Sequence, residues 1–207
     1  MADKMNVCLI NDSFPPIIDG VANAVLNYAS IIQKEYGSAT VATPYYPGAD
    51  DSIYPYKVVR FPSIDTTKLV GYRAGFPFSA ETLEEIQSQN IDLIHTHCPI
   101  TSTFLARTLR DTLDAPVVLT YHTKFDIDIA NAVRGRLLQK GAIKALVENI
   151  SACDEVWAVS RGAGENLRSI GYTGDYVVME NGVDIPKGRV PEEAVAKATA
   201  GFDLPAG

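Results

Sequence analysis

The stretch CLINDSFPPIIDGVANAV, from Cys8 to Val25, decides the fold. Its first three residues close an apolar run that starts near Met5 and reads as a buried strand. Two prolines follow at positions 15 and 16, then Asp19-Gly20. Val21, Val25, Ala29 and Ile32 then recur at helical spacing, and Gly37 closes that helix. A strand passing through a stiff loop into a helix is the opening unit of an α/β domain. Glycine at the helix start lets another group approach the backbone, where free amides favour anions. An Asp-Gly pair also makes an ordinary turn and cap, so both roles stay open at this point.

The alternation continues downstream. Ala39–Thr43, Lys57–Phe61, IDLIHTH (91–97), APVVLTYH (115–122), DEVWAVS (154–160) and DYVVMEN (175–181) read as strands. Ser79 caps one intervening helix. Pro99 opens another, with Ile100, Phe104, Leu105, Leu109 and Leu113 at helical spacing, and Ser160 caps a third. Such alternation implies right-handed βαβ units, and runs like PVVLTY suit strands buried on both faces. The expected fold is α/β: a doubly wound, mostly parallel Rossmann-like sheet with helices on both faces, over residues 1–184. Residues 185–207, rich in Ala, Gly and Pro, read as a linker with a short helix near Pro191–Ala200, leading to a further domain. Pro44–Pro55 and Pro62–Phe78 read as long loops.

A net charge of −7 disfavours nucleic acid as a partner, because phosphate attraction needs a basic field. No apolar run is long enough to span a membrane. Three widely spaced cysteines, Cys8, Cys98 and Cys153, fit a reducing cytoplasm better than a disulfide framework.

In a doubly wound sheet, ligands bind beyond the carboxyl ends of the strands. There the sequence places Asn11, Asp12 and Ser13, then Asp19-Gly20; His95, His97 and Cys98; Tyr121, His122 and Thr123; Ser160; and Glu180-Asn181-Gly182. All three histidines of the chain fall at this edge, which marks it as a site. His95 and His97 are expected to point to opposite faces of their strand, His97 into the cleft and His95 into the fold. On that expectation they cannot share an ion, and no recognised zinc spacing is present, so no metal site is expected. The absence of GxGxxG after the first strand, of GxxxxGK[ST] and of GxSxG disfavours NAD enzymes, P-loop NTPases and serine hydrolases.

The segment IDIANAVRGRLLQKGAIKALVENI (127–150) carries Arg134, Arg136, Lys140 and Lys144. The last three are four apart and share a helix face, with Val133, Leu137, Ile143, Leu146, Val147 and Ile150 supplying apolar surface and Gly135 and Gly141 bending the helix. Such a stripe is either a solvated helix face or a surface that rests on an anionic membrane.

NDSFPPIIDGVANAVLNYASII, IDLIHTHCP, PVVLTYHT, CDEVWAVS and MENGVD stand in the order and spacing of the retaining family-4 glycosyltransferases, which this chain resembles from about Met5 to Asp184. The resemblance implies the N-terminal half of a GT-B architecture, with Asn181–Asp184 where the chain leaves for a C-terminal domain. It implies a sugar moved with retention from a nucleoside-diphosphate sugar to an acceptor hydroxyl of a lipid or glycan, with neither metal nor cofactor. Gly20, with Asp19, would approach the donor diphosphate, although the family commonly has two glycines there. His122 would contact the donor sugar as the catalytic histidine, while Asp12, His97 and Asp126 are acceptor-side candidates. The part from Thr120 to Leu138 also resembles diacylglycerol glucosyltransferases, which meet the inner face of the membrane through a basic amphipathic helix. This half alone is expected to be inactive. A sugar-nucleotide epimerase half and a non-catalytic module for a phosphorylated ligand are the alternatives.

Overall fold

Strand β1 (Met5–Ile10) buries Val7, Cys8, Leu9 and Ile10 in succession, because both of its faces are covered. In the computed structural model, which describes residues 4–70, 73–122, 125–182 and 188–201, it is an interior strand of a seven-stranded sheet. In chain order the elements after β1 are helix α1 (Gly20–Ile31), which ends in one wider π-turn (Ile32–Tyr36), and strands β2 (Gly37–Pro44), β3 (Lys57–Phe61) and β4 (Ser63–Ile64). Then come α2 (Thr67–Val70), β5 (Ala74–Gly75), α3 (Ala80–Gln87), β6 (Leu93–Thr96), α4 (Thr101–Leu113) and β7 (Val117–Tyr121). The series ends with α5 (Phe125–Ala132), α6 (Arg136–Ser151), β8 (Glu155–Ala158), α7 (Arg161–Ser169), β9 (Val177–Val178) and α8 (Glu192–Thr199).

The main sheet runs β3-β2-β1-β6-β7-β8-β9 and every pairing in it is parallel. This is the doubly wound Rossmann-like order, with the chain reversing direction across the sheet between β1 and β6. The two-residue period of the strands sorts the core. Cys8, Ile10, Ile94 and Val117 pack toward Leu105 and Leu109 of α4, whereas Val7, Leu9 and Val41 pack toward Val25 and Ala29 of α1. A third cluster joins Leu119, Tyr121 and Val156 to Leu146 and Ile150 of α6 and Leu167 of α7.

Several details differ from the sequence expectation. The segment Pro62–Phe78 is not all loop, since β4 and β5 pair in a small antiparallel ribbon. The strand expected over 175–181 is only Val177–Val178, exposed on both residues because it is the sheet's edge. Ile100 and Phe104 are exposed, whereas Leu105 and Leu109 are buried in the core and Leu113 packs against it. Of the apolar residues named in segment 127–150, Leu146 and Ile150 are buried, whereas Leu137 is 85% exposed. Gly135 does break the helix, at φ +97°, but Gly141 sits inside an uninterrupted α6. Residues 183–187, which include the expected boundary at 184, lie outside the described residues, as does Thr123. Helix α8 falls within the expected short helix and buries no residue.

Two glycines make opposite predictions. A Cβ at Gly37 would lie 1.9 Å from the backbone oxygen of Met5, on the strand that Gly37 pairs with. Gly37→Ala should therefore cost about 2–4 kcal/mol of stability. A Cβ at Gly141 would meet nothing within 4 Å, in a helix interior. Gly141→Ala should add about 0.5–1 kcal/mol. Urea unfolding of the two variants checks both.

Candidate functional site

Beyond Ile10 and Thr96 the tips of β1 and β6 part. His97 N–H still donates to Ile10 O at 2.9 Å, while Asn11 N–H turns to Ala42 O of β2 at 3.1 Å. The chain after β1 goes to α1 on one face, and the chain after β6 goes to α4 on the other. This is the switch point of the sheet, where such folds open a crevice.

The loop from Asn11 to Asp19 is held rigid. Asn11 Nδ2 donates to Ser13 O at 2.6 Å, and Ile17 N–H closes a turn on Phe14 O at 3.2 Å. Phe14 is buried against Tyr54, with ring centroids 5.3 Å apart. Arg60, itself largely buried, forks onto both carboxylate oxygens of Asp51 at 2.8 Å and reaches Pro15 O at 2.7 Å. A guanidinium so placed ties the proline loop to β3.

At the end of the loop Asp19 caps α1. One carboxylate oxygen accepts from Val21 N–H at 2.8 Å and from Ala22 N–H at 2.7 Å. The amide of Gly20 has no partner among the described residues, and a Cβ on Gly20 would meet nothing within 4 Å. Neither the backbone angle nor internal crowding demands glycine there. The turn is thus both a helix cap and an open piece of backbone.

Asp12, an acceptor-side candidate from sequence, holds the start of α4. Its Oδ1 accepts from Ser102 N–H at 3.0 Å and Ser102 O–H at 2.5 Å. No side chain at Ile100 caps α4, so Asp12 caps it from across the switch point. Burial pushes its carboxyl pKa up, against hydrogen bonds from the Cys98 thiol, Ser102 and Thr101 that pull it down. Asp126 accepts from Asn166 Nδ2 at 3.0 Å, and Asn166 Oδ1 accepts from Tyr121 O–H at 2.8 Å, so Asp126 belongs to a network under the end of β7.

The histidines come together. His95 and His97 stack with ring centroids 4.1 Å apart, and Tyr28 of α1 lies against both. The expectation that they face opposite ways is overturned, because residues two apart on a strand share a face. His95 Nε2 pairs with Thr120 Oγ1 at 2.7 Å, and the edge of Trp157 packs on its ring. His97 is buried, and its Nδ1 lies 2.9 Å from Nε2 of half-buried His122. β1, β6 and β7 are parallel neighbours, so the loop that carries Gly20 after β1 and His122 after β7 leave from the same carboxyl edge of the sheet. Among the described residues no group of three or more His, Cys, Asp or Glu side chains is arranged to hold a metal ion.

Two features were not foreseen from sequence. The first is the His97–His122 hydrogen bond, which joins two segments 25 residues apart. The second is Asn149 of α6, whose amide donates to Pro99 O at 2.6 Å and accepts from Arg107 at 3.0 Å, tying α6 to the loop after β6. Nothing in the local pattern around Asn149 marks it.

Arg134, Arg136, Lys140 and Lys144 are all exposed, and Lys144 makes only a 3.7 Å surface pair with Glu148. Leu137 and Leu138 are exposed between Arg136 and Lys140, and Ile127 of α5 is exposed too. A depression of about 440 Å³ between α6 and the end of α7 has Ile143, Val147 and Ile170 in its lining, with Lys140 and Lys144. None of the crevice residues lines it. No described helix is long and apolar enough to cross a membrane.

Burial drives the pKa of His95 down to about 3, that of His97 well below its usual value, and that of His122 to about 4. The folded protein therefore holds all three neutral at pH 7, as does the unfolded chain. Below about pH 6.5 the unfolded chain takes up protons that the folded one refuses, so stability present above that pH is lost as pH falls toward 4. The histidine contribution to the unfolding free energy should be flat from pH 7.5 to 8 and should decline below 6.5. His95→Gln should reduce its slope near pH 5 by about 1.4 kcal/mol per pH unit, which urea titrations at a series of pH values measure.

The profile of Glycosyltransferase Family 4 matches residues 18–187. The chain belongs to that family. It is 22% identical over 192 residues to alpha-monoglucosyldiacylglycerol synthase of Streptococcus pneumoniae (strain ATCC BAA-255 / R6), a match that covers 91% of this chain and 43% of that protein. The catalytic domain of starch synthase IV from Arabidopsis thaliana, solved with ADP and acarbose, matches with a TM-score of 0.51 at 14% identity, over 88% of this chain and 52% of the other. That likeness is one of fold, the Rossmann-like half of a GT-B architecture. The chain spans less than half the length of the curated relative it matches.

Proposed function

We propose that this family-4 glycosyltransferase chain forms the acceptor-side wall of a retaining enzyme that moves a hexosyl group from a nucleoside-diphosphate sugar to a lipid hydroxyl. The observation that carries the reading is the open backbone at Gly20 on the same rim as His122, at the switch point of the sheet. The name of the pneumococcal relative supplies the acceptor class, a diacylglycerol, and a glucosyl group. Residues 1–184 act as this wall, and 185–207 lead to the donor-binding half.

Charge develops on the leaving diphosphate in such a transfer. A fixed amide dipole at Gly20 stabilises it without reorganising. The carboxylate of Asp19 would oppose a phosphate, but two amides at 2.7–2.8 Å already hold it. The remaining cationic charge comes from the other half of the enzyme, with no metal required. His122 is neutral at physiological pH and holds a sugar hydroxyl through its ring. In the full-length polypeptide, His122→Ala should lower transfer from a nucleoside-diphosphate glucose to diacylglycerol at least about a hundredfold under conditions where the variant stays folded, and loss of the partner of buried His97 should cost about 1–3 kcal/mol of stability. Transfer at the wild-type rate by the folded variant would contradict the role.

The acceptor is delivered at the membrane surface by α6. Each exposed Arg or Lys contributes about 1 kcal/mol beside anionic lipid, and Leu137 and Leu138 add apolar contact. Replacing Arg136, Lys140 and Lys144 with Gln should weaken binding to phosphatidylglycerol-containing vesicles about a hundredfold and leave binding to neutral vesicles unchanged. Flotation on the two vesicle types measures this. Equal binding by wild type and variant would remove α6 from the membrane.

A further inference from the structure

His97 uses only one of its ring nitrogens. Its Nδ1 meets His122 Nε2 at 2.9 Å, whereas its own Nε2 is buried with no hydrogen-bond partner among the described residues. The neighbouring His95 cannot help, because its Nε2 is taken by Thr120 Oγ1. When two neutral imidazoles share one hydrogen bond, one donates and the other accepts, so their tautomers are locked together.

Only two arrangements exist. If His97 carried its proton on Nε2, that N–H would be buried without an acceptor, a state native proteins rarely tolerate. If the proton sits on Nδ1, it is donated to His122 Nε2, and His97 is left with only an unpaired lone pair. His122 must then hold its own proton on Nδ1, which has no partner among the described residues. We propose that His97 is a positioning residue that fixes His122 as the Nδ1–H tautomer, so that the ring offers the crevice a hydrogen-bond donor. An N–H there selects an oxygen with a free lone pair, such as a sugar hydroxyl oxygen.

The tautomer itself follows from the buried pair alone. Only the identity of the oxygen that meets the N–H rests on the sugar-contact role proposed above for His122. The relation also changes the part of His97: its ring does not touch the acceptor but acts through His122.

Long-range 1H–15N correlation spectra of the protein labelled at histidine report each ring's tautomer directly. The expected wild-type result is His122 protonated at Nδ1 and bare at Nε2; an Nε2–H tautomer overturns the proposal. His97→Asn reaches about as far as Nδ1 and should keep the His122 tautomer, whereas His97→Gln and His97→Leu should let it drift toward the mixture seen in free histidine. An unchanged His122 in both Gln and Leu variants also overturns it. In the full-length enzyme, His97→Gln should lower kcat about tenfold with little change in KM, and His97→Asn should restore it. If the tautomer pattern holds while kcat stays constant across the variants, the tautomer assignment stands and the sugar-contact role of His122 falls.

Discussion

Where β1 and β6 separate, the sheet cannot satisfy its own backbone. The segments that follow leave for opposite faces, and the polar groups at the strand tips need other partners. Most of the organisation of this end follows from that constraint. Asp12, at the tip of β1, caps α4 from across the gap through Ser102. Asp19 caps α1, and Asn149 reaches from α6 to hold the carbonyls at Pro99 and Ile100. Each side chain closes one opening, and among the described residues the amide of Gly20 and Nδ1 of His122 have no partner.

Electrostatics sharpen this picture. The rim carries two carboxylates, but both are engaged at helix N-termini, so their charge is largely balanced by the amides they accept from. The imidazoles behind them stay neutral because they are buried. This rim therefore presents dipoles and hydrogen-bonding groups, not net positive charge. Arg136, Lys140 and Lys144 lie away from it, exposed on α6 beside two exposed leucines. Four exposed basic residues next to exposed apolar side chains can act locally within an acidic chain, since charges beyond about 8 Å are screened at physiological salt.

Much of this is legible from sequence, for definite reasons. Strand and helix periods differ, so β1, β3, β7 and the capped helices α3 and α7 are found by pattern, with Ser79 and Ser160 in their expected capping places. Sheet-edge logic gathers Gly20, His97 and His122 before any coordinates. Pairings between side chains distant in sequence do not show. Asp12 caps a helix 90 residues away, and His97 bonds His122 across 25 residues, and neither relation has a local pattern. The misplacement of His95 and His97 had another cause. Residues two apart on a strand share a face, and taking them as opposed hid the imidazole stack and with it the orphaned nitrogen of His97. Leu137 reads as apolar surface of the helix, and helical spacing shows which residues share a face but not whether anything covers that face.

The central claim is that the Gly20 turn and the His122 ring form one wall of a sugar-nucleotide crevice. A crystal structure of the full-length polypeptide with a bound nucleoside-diphosphate sugar tests it most directly. The account predicts a diphosphate oxygen within hydrogen-bonding distance of Gly20 N–H and a sugar hydroxyl on Nδ1 of His122. A donor seated with neither group in contact, or with the two groups facing different molecules, would contradict it.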